Sequence, residues 1–154
     1  MEAPEGSAEL VLAERPSTRL LGLMGVAAEA APPLLFPSCR SVHTFWMRFA
    51  IDLAFIALPA GLTGEARVLE LRLAVAPRRC VSLGRAARGP TQLARVGLIE
   101  LSAGKAAELG IEIEARLELT PRARAGGRPP GSPDRLRPYA PRLRHASPNV
   151  ESTP

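Results

Sequence analysis

The chemistry-bearing side chains of this chain crowd into one block, Cys39-Arg40-Ser41-Val42-His43-Thr44-Phe45-Trp46-Met47-Arg48-Phe49-Ala50-Ile51-Asp52. It contains one of the two cysteines, one of the two histidines and the only tryptophan. Three kinds of chemistry can be set against it. Cys39 and His43 lie four apart, which invites a thiolate–imidazole pair. On an extended segment, however, they would sit about 13 Å apart at roughly 3.3 Å per residue, so a dyad needs a turn between them. Asp52 opens an apolar run on the parity of Ala54 and Ile56, and a carboxylate there must be hydrogen-bonded or paired. Backbone amides or Arg48 would satisfy it; general acid or base work would need a second carboxylate, and none is identifiable. A metal site built from Cys39, His43, Cys80 and Asp52 lacks any close ligand pair, so neither a metal nor another cofactor is expected. The remaining reading is a binding groove formed by His43, Trp46, Arg48 and Asp52. Phe45, Trp46 and Phe49 offer stacking surface there or belong to the core.

The elements that must position this block read as short strands. Glu9 to Leu12 is a first strand. Ser17 or Thr18 begins a short helix with Leu20, Leu21, Leu23 and Met24 on its apolar side. Leu34 to Phe36 and Ser41 to Met47 follow as strands. Ile51 to Leu58 is apolar on both parities, the mark of a strand covered on both faces. After a turn at residues 59–64, Leu69, Leu71, Leu73 and Val75 alternate with Glu70 and Arg72, which predicts a half-exposed strand with the aliphatic set inward. A short strand is expected near Val81 to Leu83 and another over Ala94 to Leu101. Ser102 is placed to cap a helix from Ala103 to Leu109 that Gly110 would end, with Ile111 supplying an apolar contact. Ile111 to Leu119 then alternates against Glu112, Glu114, Arg116 and Glu118. Strands at this spacing predict a mainly β fold, a small jelly-roll-like sandwich or barrel with one or two short helices.

Charge divides the chain at Pro121. Residues 1–120 carry 13 basic and 13 acidic side chains, whereas residues 121–154 carry seven Arg against Asp134 and Glu151, the whole net charge of +5. That last segment also holds half of the sixteen prolines and few large apolar groups. It is expected to be a disordered Arg/Pro-rich tail behind a flexible stretch at 1–7 and a β-rich domain at 8–120. The first ten residues hold three Glu and no base, unlike a secretory leader, and no apolar run approaches a membrane span. With only two cysteines, a reducing cytoplasm is the expected compartment.

The run His43-Thr44-Phe45-Trp46-Met47-Arg48, followed by Ile51-Asp52-Leu53-Ala54-Phe55-Ile56, resembles the signature of the domain of unknown function 192 family. Gly22-Leu23-Met24, Leu34-Leu35-Phe36, Leu98-Ile99-Glu100-Leu101-Ser102-Ala103-Gly104 and Leu109-Gly110-Ile111 agree with further motifs of that family in order. The likeness covers roughly Ala8 to Leu119. It departs at Ala50, where the family usually has Pro or Thr, at Glu65-Ala66 in place of Asp-Gly, and at Glu114-Ala115 in place of Gly-Asp. The resemblance implies a compact β sandwich with small helices and no particular activity.

Three functions remain open at this level. The first is a non-enzymatic module that binds a small ligand or a protein near Trp46, Arg48, Asp52 and His43. The second is an enzyme using Asp52 with Cys39 or His43. The third is nucleic-acid association through the basic tail alone.

Overall fold

The computed structural model describes residues 7–13, 23–24, 26–85, 95–120 and 142–145. Its strands are β1 (Ser7–Glu9), β2 (Val11–Leu12), β3 (Leu34–Phe36), β4 (Ser41–His43), β5 (Ile51–Leu58), β6 (Gly64–Val75), β7 (Cys80–Ser82), β8 (Arg95–Ser102), β9 (Arg116–Thr120) and β10 (Arg142–His145). One α-helix, α1 (Lys105–Glu108), and two 3-10 turns complete the described elements.

Eight strands form one sheet in the order β1-β10-β9-β6-β5-β8-β3-β2, and β4 pairs with β7 in a separate ribbon. The two outermost strands of the large sheet, β1 and β2, are separated in sequence by Leu10 alone, which is fully buried. The sheet therefore curls until both its edges meet in one stretch of chain. Leu10, Leu35, Ala54, Ile56, Val68, Ile99, Leu117 and Leu119 fill the inside of this curl. Outside it, Phe36, Ile51, Leu53, Phe55, Leu69 and Leu98 form a second apolar layer. The ribbon covers this layer, with Val42 and Val81 packed inward. A strand such as β5, buried almost throughout, follows from a sheet with an apolar layer on each side.

The central strands fall where the hydrophobic pattern puts them, and β5 matches its expected limits. The close approach of β3 to β8 requires Gly97. A Cβ there would lie 3.0 Å from the Phe36 carbonyl oxygen and 2.6 Å from Leu58 Cδ1.

Several local expectations are corrected. Strand β6 is not a uniform alternation, because its register against β5 slips twice. Each bulge moves later side chains to the other face. Leu69 consequently joins the outer layer, Leu71 packs against the inner one, and Leu73 is 59% exposed rather than inward. The regular pattern at 111–119 becomes a strand only from Arg116. A turn with Glu114 at φ +66° precedes it and leaves Ile113 60% exposed. Helix α1 is shorter than the expected 103–109, and Ser102 does not cap it. Its end follows expectation: Gly110 stands at φ +66°, its N–H reaches the Ala107 carbonyl, and the Ile111 N–H reaches that of Ala106. The strand expected over Ser41 to Met47 stops at His43 and gives way to a turn.

The C-terminal segment departs from expectation at one place. Strand β10 runs antiparallel between β1 and β9, with Leu143 opposite Leu119 and Ala8, and Leu143 is completely buried. A single leucine among basic residues gives almost no periodic signal, yet it closes the gap between two strands that would otherwise present bare edges. Ser7, within the stretch 1–7 expected to be flexible, belongs to β1; residues 1–6, the rest of the expected tail and most of the helix expected after Pro16 lie outside the described residues.

Candidate functional site

Asp52 stands at the end of β5 on the inward parity, 1% exposed. Its Oδ1 accepts the Ala74 N–H at 2.9 Å, and its Oδ2 accepts those of Gly104 at 2.9 Å and Ala106 at 3.1 Å. The carboxylate thus does for α1 what Ser102 was expected to do, and it also ties down a residue of β6 at φ +48°. Three backbone donors occupy it. Arg48 is not its partner, and Asp52 does not share a surface with Trp46.

Of the other predicted residues, His43 ends β4, and Trp46 and Arg48 are exposed in the segment that follows it, at the tip of the ribbon. Backbone bonds fix that tip. The Thr44 N–H donates to the Arg79 carbonyl at 2.8 Å and the Leu83 N–H to that of Arg40 at 2.8 Å. In an antiparallel ladder the pairs between them must alternate, which makes His43 and Cys80 a non-hydrogen-bonded pair with Cα atoms about 4.5 Å apart. His43, Cys80, Ser41 and Ser82 therefore share the solvent face, and the two serine hydroxyls meet at 3.0 Å. The Glu70 carboxylate fastens the far end of β7 by accepting the Gly84 N–H at 2.6 Å.

Thr44 is the pivot of the tip. It is fully buried; its hydroxyl donates to the Ala76 carbonyl at 2.8 Å and accepts the Arg79 N–H at 2.9 Å. Its carbonyl accepts the N–H groups of Arg78 and Met47. One threonine thereby clamps the turn at 44–47 to the turn at 76–79. Trp46 sits in the first turn at φ +69°, 81% exposed, and Arg78 in the second at φ +63°. A left-handed backbone costs an ordinary residue roughly 1–2 kcal/mol. Phe45 is 41% exposed, and the His43 ring lies 5.6 Å from it at 43°. A strand continued to Met47 would put Phe45 and Trp46 on opposite faces; in the turn both reach water. Arg48 is exposed, whereas Phe36 and Phe55 are core and Phe49 packs partly against the outer layer.

Cys39, His43 and Asp52 do not converge. The Cys39 thiol donates to the Ser41 carbonyl at 3.1 Å, and Asp52 is enclosed by amides. No group of three or more metal-ligating side chains forms among the described residues.

Glu100 escaped the sequence reading. It faces the outer layer from β8, 4% exposed, and burial pushes its carboxyl up to about 7 against the opposing pull of a backbone hydrogen bond at Leu23. A lone Glu on the buried parity of a strand was the available signal. Thr44, Arg78 and Arg79 were also missed, because their positions depend on pairings such as that of Thr44 with Arg79, 35 residues apart.

No helix among the described residues is long and apolar enough to cross a membrane. No curated protein and no solved structure matches the chain significantly. The sequence profile of the DUF192 family, described as "uncharacterized ACR", matches residues 2–119. That match takes in the whole curled sheet except β10 and the last residue of β9, so the chain belongs to the DUF192 family.

Proposed function

We propose that this domain is a non-catalytic binding module that works through the tip of the ribbon, with Trp46 as its anchor and His43, Phe45 and Arg48 beside it. One observation carries the reading: an indole held 81% in water on a left-handed backbone by a fully buried threonine. Neither the strain nor the exposed ring contributes to folding, and strained, over-determined residues cluster where proteins bind. Tryptophan and arginine are also the side chains that most often dominate binding energy. The alternative, catalysis by Asp52 with Cys39 or His43, has less support because Asp52 is saturated by backbone donors. A chain with only two cysteines accords with a reducing cytoplasm.

Trp46 is the only tryptophan, so its own emission reports on the tip without interference. Saccharides, acidic peptides and oligonucleotides, titrated separately, should include one class that shifts or quenches it saturably. Trp46→Ala should abolish binding of that class, followed by a fluorescent label on the ligand, while changing unfolding free energy by less than about 0.5 kcal/mol. Silence across every class, or a variant that unfolds, ends the reading.

A further inference from the structure

The 13 acidic and 13 basic residues of the domain balance in number but not in space. Residues 37–50 and 76–85 contain five arginines (Arg40, Arg48, Arg78, Arg79 and Arg85) and no Asp or Glu. These are the segments that build the ribbon and its turns. All five arginines are exposed, and none forms an ion pair among the described residues. The ion pairs that do form there lie on β6, β9 and α1 and in the turn before β9: Arg67–Glu114, Arg72–Glu70, Lys105–Glu108 and Arg116–Glu65. On the curled sheet and α1, four cations are paired in this way. The ribbon leaves one sign uncompensated.

We propose that this ribbon docks single-stranded nucleic acid, with Trp46 and Phe45 stacking on bases and Arg48, Arg78 and Arg79 meeting phosphates. The proposal rests on the reading of the tip as a binding surface and names its occupant. Two complementarities select it. Unpaired cations on segments that carry no Asp or Glu of their own fit a polyanion, and guanidinium is suited to phosphate. Exposed ring faces fit a ligand that carries rings of its own, and a stacked base contributes about 1–3 kcal/mol on an aromatic platform whatever its sequence. A duplex hides its base faces, and a ribbon of three residues per strand offers little to a major groove. An acidic polypeptide would meet the arginines but brings no comparable stacking partner for the indole. Because Thr44 locks the two turns together, the aromatic and cationic groups are organised before the ligand arrives.

The test uses the full chain, with fluorescein-labelled oligouridylate and oligothymidylate of about ten nucleotides followed by anisotropy, and Trp46 emission recorded in parallel. Saturable binding with quenching of Trp46 is expected. Trp46→Ala should weaken it roughly 5- to 150-fold with an unchanged salt dependence, and Trp46→Phe should restore part of the loss. Replacing Arg48, Arg78 and Arg79 together by Gln should flatten the slope of log affinity against log salt by about 2, near 0.7 for each phosphate left without its arginine. All four positions are exposed, and unchanged circular dichroism and thermal midpoints verify that the variants are folded. Binding that survives these ribbon substitutions assigns the affinity to the seven arginines of residues 121–154 and overturns the proposal. Polyglutamate that binds as tightly and quenches Trp46 equally overturns it in favour of an acidic protein. Failure of both oligonucleotides, while another class of ligand still perturbs Trp46, refutes the nucleic-acid assignment and leaves the tip as a binding surface.

Discussion

The curled sheet and the ribbon each depend on a buried polar side chain that gathers backbone groups from distant parts of the chain. Asp52 binds three amides at the end of the curl; Thr44 binds both a donor and an acceptor of the 76–79 turn. What the two hold in place is different. Asp52 draws α1 onto the sheet, where Ala106, Leu109 and Ile111 complete the inner core. Thr44 holds Trp46 and the arginine turn out in the solvent. The same device, a polar anchor with all its bonds satisfied, closes the core in one region and keeps a strained, apolar and charged surface open in the other. A buried polar group therefore has to be judged by what its bonds constrain.

Four substitutions bear on that contrast. Asp52→Ala should be the most damaging, roughly 3–5 kcal/mol, since it strips the acceptor from three backbone amides at once. Chemical denaturation should show the sheet and ribbon lost in one transition. Glu100 supplies a pH-dependent counterpart. Its carboxyl is raised from the ordinary 4.5 to about 7, so the neutral form favours the folded state. The associated stability is full below about pH 4.5 and is lost as pH climbs through 7, a change of about 3 kcal/mol at most. In Glu100→Gln the denaturation midpoint should lose this fall between pH 4.5 and 7; a fall of the same size in the variant would assign it to another group.

Leu143→Ala should cost roughly 2–3 kcal/mol through the cavity left between β1 and β9. A value near zero would mean that β10 does not contribute to the folded sheet. Thr44→Val is the mildest, about 1–2 kcal/mol, and the most discriminating. It should release Trp46 from its fixed turn, lowering the fluorescence anisotropy of the indole, while the sheet keeps its thermal midpoint within a few degrees. Were Thr44→Val to unfold the sheet as completely as Asp52→Ala, the two anchors would not serve separate regions.

Much of the architecture is legible from residues alone, and the reasons are local. Apolar side chains on both parities of Ile51–Leu58 specify a strand with a layer on each side. Gly110 marks the end of α1 because a left-handed position favours it. The candidate site was half legible. The exposure of His43, Trp46 and Arg48 follows from the turn that replaces the end of the expected strand, which no local period announces. Asp52 was read as requiring partners, and hydrogen bonds to backbone amides were among the outcomes its burial allowed.

What the residue pattern determined is which segments become strands and which residue types have to be buried or bonded, since both follow from near-neighbour periodicity and the cost of desolvation. Tertiary structure decided the rest. Bulges in β6 chose the face that Leu73 takes, because parity downstream of an extra residue is set by the partner strand. The return of Leu143 to pair with Leu119 made a strand of a segment with no pattern of its own. The pairing of β4 with β7 placed Arg78 and Arg79 beside Trp46, concentrating on one ribbon a charge that cancels in any count over the whole domain. Pairings between residues far apart in sequence have no period to read; their positions exist only once the chain has closed on itself.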